Sequence, residues 1–143
     1  MVKKTSTMLP LGTQAPHFSL MDTISGQTVS LTDHQGSKAT VVMFICNHCP
    51  YVKHVNAELT RLASDYLPKE VRFFAINSND VEHYPDDSPE NMKKAALLHK
   101  YPFPYLFDET QEVARAYEAA CTPDFYVFDS ENRLVYRGQL DDS

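Results

Sequence analysis

The residues of this chain best suited to chemistry are two cysteines set two residues apart, in the run Cys46-Asn47-His48-Cys49-Pro50. A thiolate is both a nucleophile and a metal ligand, and two thiols this close in sequence supply an attacker and a resolver. Pro50 suits the first position of a helix, where its missing N–H is no loss, and Cys49 then becomes the helix cap. At a cap, unpaired backbone N–H groups and the positive end of the helix dipole favour the thiolate and lower the thiol pKa. His48, when protonated, pushes the same way. Cys49 is therefore expected to attack and Cys46 to resolve.

Two plainer chemistries compete with this one. Buried cysteines are common and usually inert, packing as small hydrophobes. Structural zinc needs four ligands, usually as two pairs. Here the second pair is missing, and Cys121, His48 or His54 would have to be recruited. No metal is expected. Cys121-Thr122-Pro123 forms a second constellation, in which Cys121 is either a third thiol or a small core residue. His17, His34, His83 and His99 are expected at the surface or in packing.

The elements that must position these residues are read from period and punctuation. Thr40–Ile45 is a continuous apolar, β-branched run, the pattern of a strand buried on both faces. Val52, Val55, Leu59, Leu62 and Tyr66 then recur at helical spacing, and Val71–Ile76 is the next strand. These make a βαβ unit with the cysteine pair at its strand-to-helix junction, a context in which redox chemistry is expected. Ser88-Pro89 opens a second helix, with Met92, Ala95, Ala96 and His99 on its less polar face; Pro102 and Pro104 end it. A third, short helix follows Asp108, with Val113, Ala116, Tyr117 and Ala120 inward. Phe125–Phe128 and Leu134–Tyr136, joined by a polar turn, predict an antiparallel hairpin. Upstream, Gly26 between Asp22–Ile24 and Thr28–Leu31 predicts another, reached through an extended stretch broken by Pro10 and Pro16.

With the residues so placed, the chain resembles the thioredoxin-like superfamily, and within it the peroxiredoxin-like group of the alkyl hydroperoxide reductase/thiol-specific antioxidant (redoxin) family. The resemblance rests on Gly12–Leu20, on Val41-Val42-Met43-Phe44 followed by Cys49-Pro50, and on Thr122-Pro123-Asp124-Phe125. It implies an α/β thioredoxin-like fold: a mixed central sheet flanked by helices, extended at its N-terminus by a β-hairpin. It also implies that Pro123 lies beside the active-site helix as a cis proline and shapes a substrate groove, with Thr122 before it. In thioredoxin-like proteins the first active-site cysteine follows the strand phenylalanine by five residues, which from Phe44 gives Cys49. A peroxiredoxin carries its peroxidatic cysteine three residues later, preceded by Thr or Ser. Those positions here hold Val52 and Cys49, so a dedicated peroxidase is not expected. The reading is a thiol–disulfide oxidoreductase or antioxidant protein. A thiol peroxidase using Cys49 unconventionally and a non-enzymatic redox-sensing module are the alternatives.

The remaining features set bounds. The chain has 143 residues, 43% hydrophobic and 22% charged, with no repeat or linker, as one globular domain would have. Residues 1–10 are expected to be a flexible lead. Net charge is −6 with scattered Lys and Arg, so no basic stripe for nucleic acid is present. No run approaches the ~20 apolar residues of a membrane span, and the basic start lacks the apolar stretch of a signal peptide. The expected setting is the cytoplasm, and the expected partners are protein or small thiol/disulfide substrates and a dithiol reductant. No cofactor is expected, because a dithiol carries its own electrons. Only Gln139–Ser143 follow the last strand, too few for two helical turns. The resembled fold ends in a helix on the active-site-helix face, so that face is expected to be bare or covered by another subunit, as in a homodimer.

Overall fold

The computed structural model describes residues 9–34, 38–45, 50–79, 82, 85–119 and 124–138, and among these the backbone alone for 33, 34, 50–57 and 86. The strands are β1 (Ser19–Asp22), β2 (Thr28–Ser30), β3 (Ala39–Phe44), β4 (Val71–Asn77), β5 (Tyr105–Phe107), β6 (Asp124–Phe128) and β7 (Leu134–Gly138). The helices are α1 (Pro50–Tyr66), α2 (Pro89–His99) and α3 (Glu112–Ala116). One seven-stranded sheet runs β2-β1-β5-β4-β3-β6-β7. β3 pairs in parallel with β4 and β4 with β5, while β3–β6, β6–β7, β1–β5 and β1–β2 are antiparallel. This is the mixed α/β sheet expected, with the N-terminal hairpin joined through β1 to the edge of the β3-β4-β5 core.

Alternation along the strands divides the apolar side chains between two faces. Val42, Phe44, Phe74, Ile76, Leu106, Tyr126 and Phe128 share one face with Val113 and Tyr117 of the α3 segment. Met43, Ile45, Phe73, Ala75, Tyr105 and Phe125 share the other with Leu59 and Ala63 of α1 and Met92 and Ala96 of α2. Both crossovers, β3-α1-β4 and β4-α2-β5, therefore lie on one face, and α3 covers the other. β3 is buried along most of its length, as a strand flanked on both edges and covered on both faces must be.

Local chemistry explains the element ends. Ser88 caps α2 through its Oγ, which accepts from the Asn91 amide at 3.3 Å, and Pro89 opens the helix. Ser88→Ala should lower stability by about 1 kcal/mol. Urea unfolding checks this, and an unchanged midpoint would sink it. Lys100, left-handed at φ 57°, stops α2 at His99, before Pro102 and Pro104 are reached. In the β6–β7 turn the Asp129 carboxylate accepts from the Glu131 and Arg133 amides, each at 2.9 Å, and these bonds, with that from Arg133 first, hold its pKa below the usual carboxylate range. In the first hairpin Asp22 Oδ1 accepts from the Ile24 amide at 3.0 Å and Gly26 takes φ 78°, so β1 ends at Asp22, two residues before its expected end.

Three expectations need correction, and one strand is additional. Tyr105–Phe107, where the sequence predicts no element, is a strand; three residues between Pro104 and Asp108 are too short to show a period. Tyr66 is 43% exposed although it falls on the helical spacing of α1, because the core face of that helix is carried by Leu59 and Ala63. Ala116 is exposed, since α3 ends there and only Val113 and Tyr117 turn inward. Leu9, inside the stretch expected as a flexible lead, is buried in the core. Its neighbours are tied to the β6–β7 turn, the Gly12 amide donating to the Leu134 carbonyl at 2.7 Å.

The residues after β7, 139–143, on which the expected absence of a last helix turns, lie outside the described residues. The sheet face beside α1 there carries an open apolar groove of about 350 Å³, lined by Leu62, Tyr66, Phe73, Phe125, Val127 and Tyr136 among others.

Candidate active site

β3 does not stop cleanly at Phe44. The amide of Ile45 donates to the Ile76 carbonyl at 3.0 Å, so the parallel ladder with β4 holds one residue further and leaves Ile45 fully buried. The chain next enters the described structure at Pro50, the first residue of the 17-residue helix α1. The run containing Cys46, His48 and Cys49 is thus bounded by a buried strand end and a helix N-terminus. Unpaired amides and the positive helix pole at such a terminus stabilise an anion, and a thiolate is one. Pro50 stands at the first helical position, as expected.

β6 begins at the same end of the sheet. In the antiparallel β3–β6 ladder Phe44 pairs with Asp124 and Met43 with Phe125. Asp124 follows directly on Cys121-Thr122-Pro123. The chain therefore enters β6 opposite the point where it leaves β3. Cys46, His48, Cys49, Cys121, Thr122 and Pro123 themselves lie outside the described residues, as does the side chain of Pro50. The expected Cys46–Cys49 disulfide, the histidine beside Cys49 and the Pro123 groove all fall there.

Beneath this edge, on the α3 face, is an aromatic cluster. Phe44 stands 5.6 Å from Tyr117 and 5.8 Å from Tyr126 between ring centroids, and Tyr117 lies 5.5 Å from Tyr126. The Tyr126 hydroxyl donates to the Tyr117 carbonyl at 2.8 Å, and the Tyr117 hydroxyl to the Pro16 carbonyl at 2.7 Å. Burial pushes both phenols well above their usual range, and for Tyr126 the carboxylates of Asp124 and Glu118 push further. Both stay protonated at neutral pH, so they serve as donors and packing surfaces, not as bases.

On the other side, at the ends of β4 and β5, a polar network was not anticipated from sequence. Asn77 is fully buried; its Nδ2 donates to Asp87 Oδ1 at 2.9 Å and reaches the Tyr105 hydroxyl at 3.4 Å. Asn79 Nδ2 donates to Asp87 Oδ2 at 3.1 Å. Asp108 accepts from Ser78 Oγ at 2.7 Å and from the Val113 and Ala114 amides, which starts α3. The signal available was the polar run Asn77-Ser78-Asn79 directly after an apolar strand. At the opposite end of the sheet, buried Arg72 donates to Thr40 Oγ1 and to the Leu31 carbonyl and lies under Phe74; burial lowers its pKa. That guanidinium ties β4 to β3 and to the chain after β2, and is remote from the cysteine edge.

Among the described residues no cluster of three or more His, Cys, Asp or Glu could hold a metal, and no helix is long and apolar enough to cross a membrane.

Residues 11–137 match the model of the AhpC/TSA family. The chain belongs to the AhpC/TSA family. Among solved structures it is similar to an uncharacterized conserved protein from Geobacillus kaustophilus, 68% identical with TM-score 0.92, covering 95% of this chain and 72% of that one. It is also similar to a hypothetical protein from Sinorhizobium meliloti 1021, 43% identical with TM-score 0.91, covering 94% and 73%. The thioredoxin domain of a thiol-disulfide oxidoreductase from Bacteroides vulgatus shares the fold at TM-score 0.77 and 23% identity, covering 94% and 91%. No curated protein matches the chain. The thioredoxin-like fold and the redoxin family implied by Gly12–Leu20, Phe44 and Cys49-Pro50 are thus as expected.

Proposed function

We propose that this AhpC/TSA-family protein is a thiol–disulfide oxidoreductase in which Cys49 attacks and Cys46 resolves. The observation that carries the reading is the β3–β6 register. It brings the strand before the cysteine pair and the strand after Cys121-Thr122-Pro123 to one edge, beside the N-terminus of α1. The solved Bacteroides vulgatus protein named a thiol-disulfide oxidoreductase, which shares this architecture, supports it.

The Cys49 thiolate attacks one sulfur of a substrate disulfide. A mixed disulfide forms, and the other substrate sulfur leaves as a thiolate that takes up a proton. The Cys46 thiolate then attacks the Cys49 sulfur, forming the Cys46–Cys49 disulfide and releasing the second substrate thiol. Two electrons pass to the substrate, and a dithiol reductant returns the protein to its reduced form. His48 favours the Cys49 thiolate, and the Pro123 loop supplies a wall of the groove. Cys121 stands in reserve as an alternative resolver. The proposed setting is the cytoplasm.

Multiple turnovers of a protein disulfide substrate, driven by dithiothreitol, are the expected result; absence of turnover by reduced, folded protein overturns the reading. Hydrogen peroxide should oxidise the reduced protein only slowly, because position 52 is Val and position 49 is neither Thr nor Ser. Stopped-flow oxidation at the rate of a dedicated peroxidase would move the protein to that class.

A further inference from the structure

Pro104 cuts short the ladder between β4 and β5. Alternate residues of β4 address its two neighbours. On the β3 side the Ile76 carbonyl accepts from the Ile45 amide. On the β5 side the Ala75 amide donates to the Pro104 carbonyl at 3.1 Å, and the Asn77 carbonyl accepts from the Asp108 amide at 2.9 Å. By the same alternation Phe73 and Val71 turn their main-chain groups to the β5 side. The next donor in a parallel ladder, to the Phe73 carbonyl, would be the amide of residue 104, and proline has none. Pairing with β5 accordingly starts at Ala75 and Tyr105, and among the described residues no partner reaches the Phe73 amide or carbonyl. Phe73 is buried, where main-chain polar groups are almost always matched.

These groups border a cleft of about 310 Å³, lined by Leu67, Glu70, Val71, Phe73, Phe103 and Pro104 among others. That volume is near the lower bound for a ligand pocket. Its walls are held in place from outside. Phe103 is buried and stacked on Tyr101 at 4.9 Å between ring centroids, and the Glu70 amide donates to the Leu67 carbonyl at 3.1 Å. Charge around the cleft has one sign. The Arg72 guanidinium is committed to Thr40 and the Leu31 carbonyl, and Lys69 Nζ lies 5.0 Å above the Tyr66 ring. Glu70 is exposed and belongs to none of the ion pairs among the described residues.

We propose that this cleft takes an extended peptide segment carrying a basic side chain. The segment pairs with Val71–Phe73 as an added strand and sets its cation against Glu70. A peptide main chain offers a donor and an acceptor at the spacing of alternate strand residues, which is what an open strand edge selects. Leu67, Phe103 and Pro104 supply the apolar contact, and three residues of open edge suit a short segment. Val71 begins β4, whereas the cysteine run departs beside the strand's other end. Occupancy of the cleft therefore does not depend on the thiol chemistry.

The test is amide hydrogen exchange and titration by NMR on the full chain. In the free protein the Phe73 amide should exchange at least about tenfold faster than those of Arg72 and Phe74, which face β3. The probe is a capped tetrapeptide of alternating valine and lysine. In the millimolar range it should shift the Val71 and Phe73 amide resonances saturably and slow the exchange of Phe73 about tenfold. The same peptide with its backbone N-methylated loses its donors and should bind about tenfold more weakly. Glu70→Gln should weaken binding of the unmethylated peptide about two- to fivefold, the scale of an exposed ion pair. Protection of Phe73 in the free protein equal to that of Arg72 overturns the inference, because the edge is then already paired. So does an absence of saturable shifts at Val71 and Phe73, or equal binding of the N-methylated peptide. Unchanged affinity in Glu70→Gln overturns the choice of a basic segment.

Discussion

Cys49→Ser should reduce dithiol-driven disulfide reduction at least about a thousandfold, the scale of losing a nucleophile that no other group replaces. The serine hydroxyl is nearly isosteric, but it is not ionised near neutral pH and cannot form the mixed disulfide. Thermal unfolding of the same variant separates loss of the nucleophile from loss of the fold. Cys46→Ser separates the roles. It should leave the first attack intact and block resolution, so that a Cys49-linked substrate adduct accumulates and is seen by mass spectrometry of the intact protein. If Cys46→Ser is dead without an adduct while Cys49→Ser traps substrate, the two roles are reversed. If both variants turn over normally, the dithiol is not the working group.

Phe44→Ala should cost about 3–5 kcal/mol, the range for removing a buried aromatic ring, and a large fraction of the 5–15 kcal/mol that holds a typical domain together. Phe44 is 2% exposed and packs against Tyr117 and Tyr126 at the centre of the α3-face cluster. Collapse around the lost ring is restrained by ladders on both edges of β3. At about 2–4 °C per kcal/mol, the thermal midpoint should fall by roughly 10 °C. Calorimetry reads this directly, and a loss under about 1.5 kcal/mol would show that the cluster closes over the gap.

The parts legible in the sequence were those with strong local signals. The apolar run of β3, the proline opening α1 and the Ser88-Pro89 cap each express a local physical preference that the tertiary structure reinforces. β5 was not legible, because three residues carry no period and its strand character comes from neighbours β4 and β1. Tyr66 marks the opposite failure, since the period continued after the packing partner had ended. For the proposed site, spacing singled out Cys46 and Cys49, which lie outside the described residues. It did not reveal that Asp124 faces Phe44, because register between strands so distant in sequence depends on the whole sheet. Nor did it show that Asn77 and Asp87 would brace the neighbouring strand end, since burial is what turns a polar run into a network.

The position of β6 beside β3 has a consequence for how the chain acquires its chemistry over time. The β3-α1-β4 unit is assembled from residues adjacent in sequence, whereas the β3–β6 ladder joins partners about 80 residues apart. Non-local pairings carry the larger loop-closure entropy and are made later in folding. On the ribosome the order is stricter still. At 5–20 residues per second, β6 is synthesised several seconds after the βαβ unit is complete. During that interval the N-terminus of α1 can already exist, whereas β6 and the chain leading into it do not. If Cys46 and Cys49 work as proposed, the nascent chain is a thiol reagent before it is a selective one, and selectivity arrives with the β3–β6 ladder.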